Sequence, residues 1–194
     1  MRKALFSLPL VGMIAAPAMA NSLISPGPQT KIARSTLSAN PTYEWNKLSL
    51  RGGKNVEIWT IDGDQLNKIA FYGAIQVGKP LYREVDKKER PLPRVTPNML
   101  ITDIPTLLES SYRSQFSVSQ MSIDSQEPML VGGYQGIRFN YTFTRQDEDV
   151  VRKGEAVGAF VKDRLYLVVY EAPAIHFFDK DIEKFRQLAA TVRM

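Results

Sequence analysis

His176 is the only histidine in the 194-residue chain, and there is no cysteine. Zero cysteine removes disulfides, thiol nucleophiles, Fe–S clusters, covalently attached c-type haem and cysteine zinc sites. Any site that needs two histidines is excluded as well. A Ser-His-Asp arrangement would have to use His176, which follows the strand end at Ala174 and precedes a helix. Glu171, Asp179 and Asp181 are the nearby acids, and no Gly-x-Ser-x-Gly elbow is present to supply the nucleophile. A lone histidine without a base–nucleophile pair reads as a boundary residue between core and solvent. The rival reading is a hydrolase that uses His176 with a carboxylate.

The remaining polar motifs also favour structural readings. His176 with Asp179 offers two donors, short of the four that structural zinc takes. Asp62-x-Asp64 and Asp147-Glu148-Asp149 are oxygen-rich, but neither continues into the alternating acids, glycine and terminal Glu of a calcium loop, so both read as solvated turns. Glu57, Asp62, Glu155 and Glu171 lie on or beside strands, yet nothing in their spacing orders two of them as a glycosidase pair. Gly132-Gly133-x-x-Gly136 precedes a strand, whereas a dinucleotide cradle opens a helix; these glycines read as a turn or bulge. Arg83, Lys87, Lys88, Arg90 and Arg94 are interleaved with Glu84, Asp86 and Glu89. Alternating signs cancel the long-range field, so this stretch reads as a solvated loop. No residue is assigned a catalytic, metal-binding or cofactor-binding role, and no cofactor is expected.

Length and composition set the frame. One domain usually holds about 100–200 residues, and such a chain buries a core without staples. The N-terminus carries a positive start (Arg2, Lys3), a charge-free apolar run from Ala4 to Ala16, and the small-x-small triplet Ala18-Met19-Ala20. This is the pattern of a secretory signal peptide cleaved after Ala20. The run is shorter than a roughly 20-residue span, and Pro9 and Pro17 interrupt it. Cleavage takes two positive charges and no acid, lowering the net charge from +5 to +3. No dense basic stripe marks a nucleic-acid binder, and no later segment reads as membrane-spanning. A cysteine-free exported chain suits a periplasm, where oxidising machinery acts on free thiols.

Residues 21–42 are rich in Ser, Pro, Thr and Gly and read as a flexible leader, with one domain over 43–194. Trp45, Leu48 and Leu50 suggest a short first strand, and Arg51–Asn55 a turn. Val56–Ile61 and Leu66–Ile75 flank Asp62-Gly63-Asp64 as a hairpin, with Ile69, Phe71 and Ile75 on one face. Thr96-Pro97 reads as a helix start. Leu100, Ile104, Leu107, Leu108 and Tyr112 share a helical face. Pro105 predicts a break near Asp103 and a second helix with proline in its first turn. Phe116–Ile123, Ile137–Phe143, Val150–Val161 and Leu165–Tyr170 read as strands, with a short apolar run at Met129–Val131; the last strand, apolar on both faces, should be central. Phe178, Ile182, Phe185, Leu188, Ala189 and Val192 form one face of a final helix. It should pack on Leu165, Leu167 and Val169, with Lys184 on its solvated face. Asp179 and Asp181 near its start complement the helix dipole.

Segregated strands joined by short turns make this α+β: a mainly antiparallel twisted sheet flanked by helices. The order resembles the PsbP-like α/β/α sandwich superfamily. The likeness is carried by the turn Gly132–Gly136 before a long strand, by Val169-Tyr170-Glu171-Ala172-Pro173 and by Phe177-Phe178; the segments Asp62–Asn67 and Phe71-Tyr72-Gly73 are similar to small exported bacterial proteins. It implies a binding or assembly module rather than a catalyst, and it transfers no functional residue. The sequence reading is therefore a periplasmic or secreted non-catalytic module whose partner is an envelope protein or component. An envelope hydrolase using His176, or a small-ligand carrier with an apolar pocket between sheet and helix, are the alternatives.

Overall fold

The computed structural model describes residues 21–49, 52–146 and 148–194. The signal-peptide reading of residues 1–20, and those of Leu50, Arg51 and Asp147, fall outside the described residues. Eight strands form one sheet: β1 (Ser22–Ile24), β2 (Trp45–Lys47), β3 (Val56–Thr60), β4 (Lys68–Gln76), β5 (Val118–Val131), β6 (Tyr134–Arg145), β7 (Arg152–Val161) and β8 (Arg164–Pro173). Their spatial order is β1-β2-β3-β4-β8-β7-β6-β5, and every neighbouring pair is antiparallel. Helix α1 (Ile104–Phe116) covers one face and α2 (Phe177–Ala190) the other. No helix among the described residues is long and apolar enough to cross a membrane.

Strand β8 lies inside the sheet and buries both of its faces, which is why its sequence is apolar without alternation. Tyr166, Val168 and Tyr170 pack under α2, where the Tyr170 ring stacks on Phe185 with centroids 5.6 Å apart. Leu165, Leu167 and Val169 pack under α1. The expected partner face of the final helix is thus reversed. Periodicity in a doubly covered strand cannot say which face meets which helix, because a one-residue shift exchanges them.

Other expectations are corrected by local geometry. A bulge between Tyr72 and Ile75, with Ala74 at φ 53°, puts Ile75 on the α1 side while Ile69 and Phe71 stay on the α2 side. Asn98 at φ 61° and an extended Leu100 prevent a helix from starting at Thr96-Pro97. The short turn is a 3₁₀ turn over Ile101–Asp103, and α1 follows it with Pro105 in its first turn, as the proline predicts. The two short runs around Ile123 and Met129 join into the one long strand β5. Its Pro128 is tolerated because β5 is an edge strand with no ladder on its outer side. Gly132 and Gly133, at φ 59° and 91°, make the tight turn from β5 to β6.

Residues 21–42 are not a loose leader, and the folded body starts at β1 rather than at Tyr43. Strand β1 pairs with β2, and Ile32, Ala33, Leu37 and Ala39 are buried in the core on the α2 side. Ser38 exchanges backbone hydrogen bonds of 2.9 Å with Arg193. Few of these residues are large and apolar, and they follow no period. Their order comes from contacts distant in sequence.

Candidate functional site

The polar residues separate into three assemblies. Under α1, Glu171 is 2% exposed and accepts hydrogen bonds from the hydroxyls of Tyr112 and Tyr141, the latter at 2.8 Å. Lys68 Nζ lies 2.9 Å from its other oxygen. Burial pushes the Glu171 pKa up, but the Lys68 charge and the tyrosine hydroxyls outweigh it and hold the carboxyl below its ordinary range. Burial raises the pKa values of Tyr72, Tyr82, Tyr112 and Tyr141, so these hydroxyls stay protonated as donors. Gly154 makes this assembly possible, since a Cβ there would strike the Tyr141 ring. The cluster joins β4, β6, β8 and α1 in a filled core.

The other strand carboxylates are likewise neutralised one by one. Glu57 pairs with Lys47 at 2.9 Å and accepts from Trp59 Nε1 and the Ala33 amide. Glu155, 1% exposed, pairs with Arg186 at 2.7 Å. A glycosidase pair is not assembled from these groups, because each has its own cation. Among the described residues, no three His, Asp or Glu side chains gather as metal ligands.

The third assembly is one end of the sheet, where the β3–β4, β6–β7 and β8–α2 loops meet. The first is separated from the other two by the whole of β4 to β6, and hydrogen bonds stitch all three together. The Ala174 amide donates to the Val151 carbonyl at 2.8 Å, and Arg152 donates to the Gln65 carbonyl at 3.0 Å. Lys180 bonds Asp62 at 2.6 Å, and the buried Asn67 amide donates to Asp62 and to the buried Asp181. Glu148 pairs with Arg145 and Arg152. Asp62 and Glu148, from the two acidic turns, are thus clamps rather than purely solvated groups, and Asp181 is a buried acceptor as well as a dipole partner.

His176 lies in the β8–α2 loop at this end. It is exposed, and its ring makes no hydrogen bond among the described residues; its neighbour is the edge of Phe177, at 5.3 Å between centroids. Its backbone is at φ 66°, ψ −54°, and the Phe177 amide donates to the Ile175 carbonyl at 2.7 Å. This is a γ-turn of the rare positive-φ kind, strained for any residue with a side chain. Its result is that Ile175 points outward, 85% exposed, next to the residue that bonds Val151; Val150 and Val151 are exposed on that loop and Leu66 on the β3–β4 loop. Val150 and Val151 were expected inside β7, which begins instead at Arg152. Sequence reasoning missed this surface because no motif marks it; the available signal was two valines at a strand start and an isoleucine just past a proline.

Two open surface clefts flank the end of α1. One, of about 370 Å³, is lined by Glu89, Arg90, Pro91, Arg113, Ser114 and Ser117; the other, of about 410 Å³, by Gln115, Phe116, Ser117, Arg145 and Gln146. Both are predominantly polar. The helix–sheet interfaces, where the carrier alternative would place its pocket, are packed with side chains: Tyr112, Tyr141 and Phe143 at α1, and Tyr170, Phe178 and Phe185 at α2. The Arg83–Arg94 stretch is the expected surface loop, closed by a Pro80–Arg94 bridge and by an Arg94–Glu84 ion pair at 2.7 Å.

No protein-family description matches the chain, and no curated protein matches it in sequence. Among solved structures, the cyanobacterial PsbP (CyanoP) of Synechocystis sp. PCC 6803 superposes with a TM-score of 0.53 at 13% identity, covering 96% of this chain and 98% of that one. The fold is PsbP-like. Looser superpositions relate this PsbP-like chain to the Ran-binding protein Mog1p of Saccharomyces cerevisiae (TM-score 0.47, 8% identity, 91% and 96% covered). They also relate it to LpqN, involved in cell envelope biogenesis of Mycobacterium tuberculosis (TM-score 0.32, 8% identity, 93% and 86% covered). At these identities the likeness is one of fold, and fold does not fix function.

Proposed function

We propose that the chain is an exported, periplasmic, non-catalytic module that binds or helps to assemble an envelope protein or component. The observation that carries this reading is the end of the sheet around Ile175: exposed apolar side chains held on loops that hydrogen bonds make rigid. Contiguous exposed apolar groups with a polar surround mark interaction surfaces. The sole histidine supports it by standing exposed with no acid or nucleophile bonded to its ring among the described residues. The strand carboxylates support it by being tied to Lys47, Lys68 and Arg186. Export rests on the positive start, the apolar run and the small-x-small triplet Ala18-Met19-Ala20.

The test is a pull-down from periplasmic extract with the mature protein as bait, beside a Val151→Asp/Ile175→Asp bait. A partner retained by the first and lost by the second supports the module. An envelope-hydrolysing activity that falls 10²-fold or more in His176→Ala, the scale of losing a general acid–base group, would overturn it in favour of an enzyme.

A further inference from the structure

The module reading leaves the partner's chemistry open, and the charges around the apolar end narrow it. Resting on that reading, we infer that Leu66, Val150, Val151 and Ile175, rimmed by Asp64, Asp149 and Asp179, dock a basic protein segment bearing an apolar anchor residue. The apolar centre comes from three loops already locked to one another through Ala174–Val151, Arg152–Gln65 and Lys180–Asp62. A surface ordered before binding loses little freedom on docking. The strained turn at His176 has the same effect, since it fixes Ile175 in its outward position.

The rim carries the sign. Of the cations at this end, Lys180 pairs with Asp62 and Arg152 with Glu148, while Lys153 lies over the Phe178 ring at 5.8 Å and keeps its charge, one against three free carboxylates among the described residues. Asp64, Asp149 and Asp179 are exposed and form no ion pair among the described residues. This acidic rim stands on a chain whose net charge is positive. Complementary rim charge steers encounter and selects the partner's sign. The same sign disfavours an anionic bilayer. It also disfavours a second copy, because a two-fold contact would bring identical acidic rims together.

The experiment titrates ¹⁵N-labelled mature protein with two synthetic peptides, one placing a leucine among lysines and the other placing it among glutamates. The expected result is amide shifts confined to the three loops with the lysine peptide, weakened by salt. Binding should be about tenfold or more stronger than for the glutamate peptide, the low end of electrostatic steering. Asp64→Lys/Asp149→Lys/Asp179→Lys should remove that preference, and Ile175→Ser should weaken binding of the lysine peptide. All four positions are exposed, so the fold is not at stake in these variants. Equal binding of both peptides at the loops overturns the basic partner and leaves the module reading intact. Shifts elsewhere, or none at millimolar peptide, overturn the surface assignment, while the pull-down with its double-aspartate control judges the module independently. Capture of these loops by phosphatidylglycerol vesicles, or by a second copy in sedimentation, also overturns the inference.

Discussion

Lys68 Nζ stands 2.9 Å from Glu171 Oε2, across directly paired positions of β4 and β8. With Tyr112 and Tyr141 donating to its other oxygen, Glu171 is ionised inside the core and ties the first helix to three strands. A buried carboxylate of this kind makes stability depend on pH. Its folded pKa lies below the unfolded value of about 4.3, so its contribution is complete above that value and lost as pH falls through the lower folded one. Denaturant melts from pH 7 to 2 should show this acid limb. Glu171→Gln should flatten it and lower stability at pH 7 by about 3 kcal/mol, the low end for a broken buried pair, because Lys68 retains some contact with water. An unchanged acid limb in the variant would remove Glu171 as its source.

Phe185 is fully buried against Tyr170, so Phe185→Ala should cost about 3–5 kcal/mol in lost transfer energy and cavity formation. Lys184 is not the neutral comparison its helical position suggests, because it pairs at 2.6 Å with the buried Asp181. Glu183, exposed and paired only with Arg186 on the surface, is the better one. Its alanine variant should change stability by less than about 0.5 kcal/mol. Thermal melts of Phe185→Ala, Lys184→Ala and Glu183→Ala should rank in that order of damage.

His176 holds a backbone conformation that glycine adopts freely. His176→Gly should therefore stabilise the isolated protein by about 1 kcal/mol, the lower end of the strain stored at such positions. It should also weaken docking, because Ile175 is no longer held outward. His176→Ala should leave biological activity within a few-fold of wild type. Chemical denaturation measures the first effect, and a destabilised glycine variant would show that the turn is not strained.

Exported protein should begin at Asn21, immediately before the first residue of β1. Intact-mass measurement on the periplasmic fraction checks this; retention of residues 1–20 would defeat the export proposal. A mature terminus inside residues 25–42 would strip β1 from the sheet and should lower stability, since that segment is packed and not a tether.

What the sequence determined by itself was what its clearest periods carry. Ile137, Phe139, Tyr141 and Phe143 alternate, and all four are buried on one face of β6. The helical spacing of Phe178, Ile182, Phe185 and Leu188 is the buried stripe of α2. The α+β class and the central position of β8 followed from such patterns, because side-chain direction is set by the backbone repeat. Only the tertiary structure decided matters that depend on which distant residue lies opposite. β8 is apolar on both faces, so its period could not assign α1 or α2 to either. Ile32 and Leu37 have no period at all, and their order comes from the core they enter. Glu171 looked like one acid among several until Lys68, Tyr112 and Tyr141 closed around it from three other elements. The candidate surface was the least legible part. Its apolar residues belong to three loops, one of them remote in sequence from the other two, and hydrogen bonds that no spacing encodes bring them together at one end of the sheet.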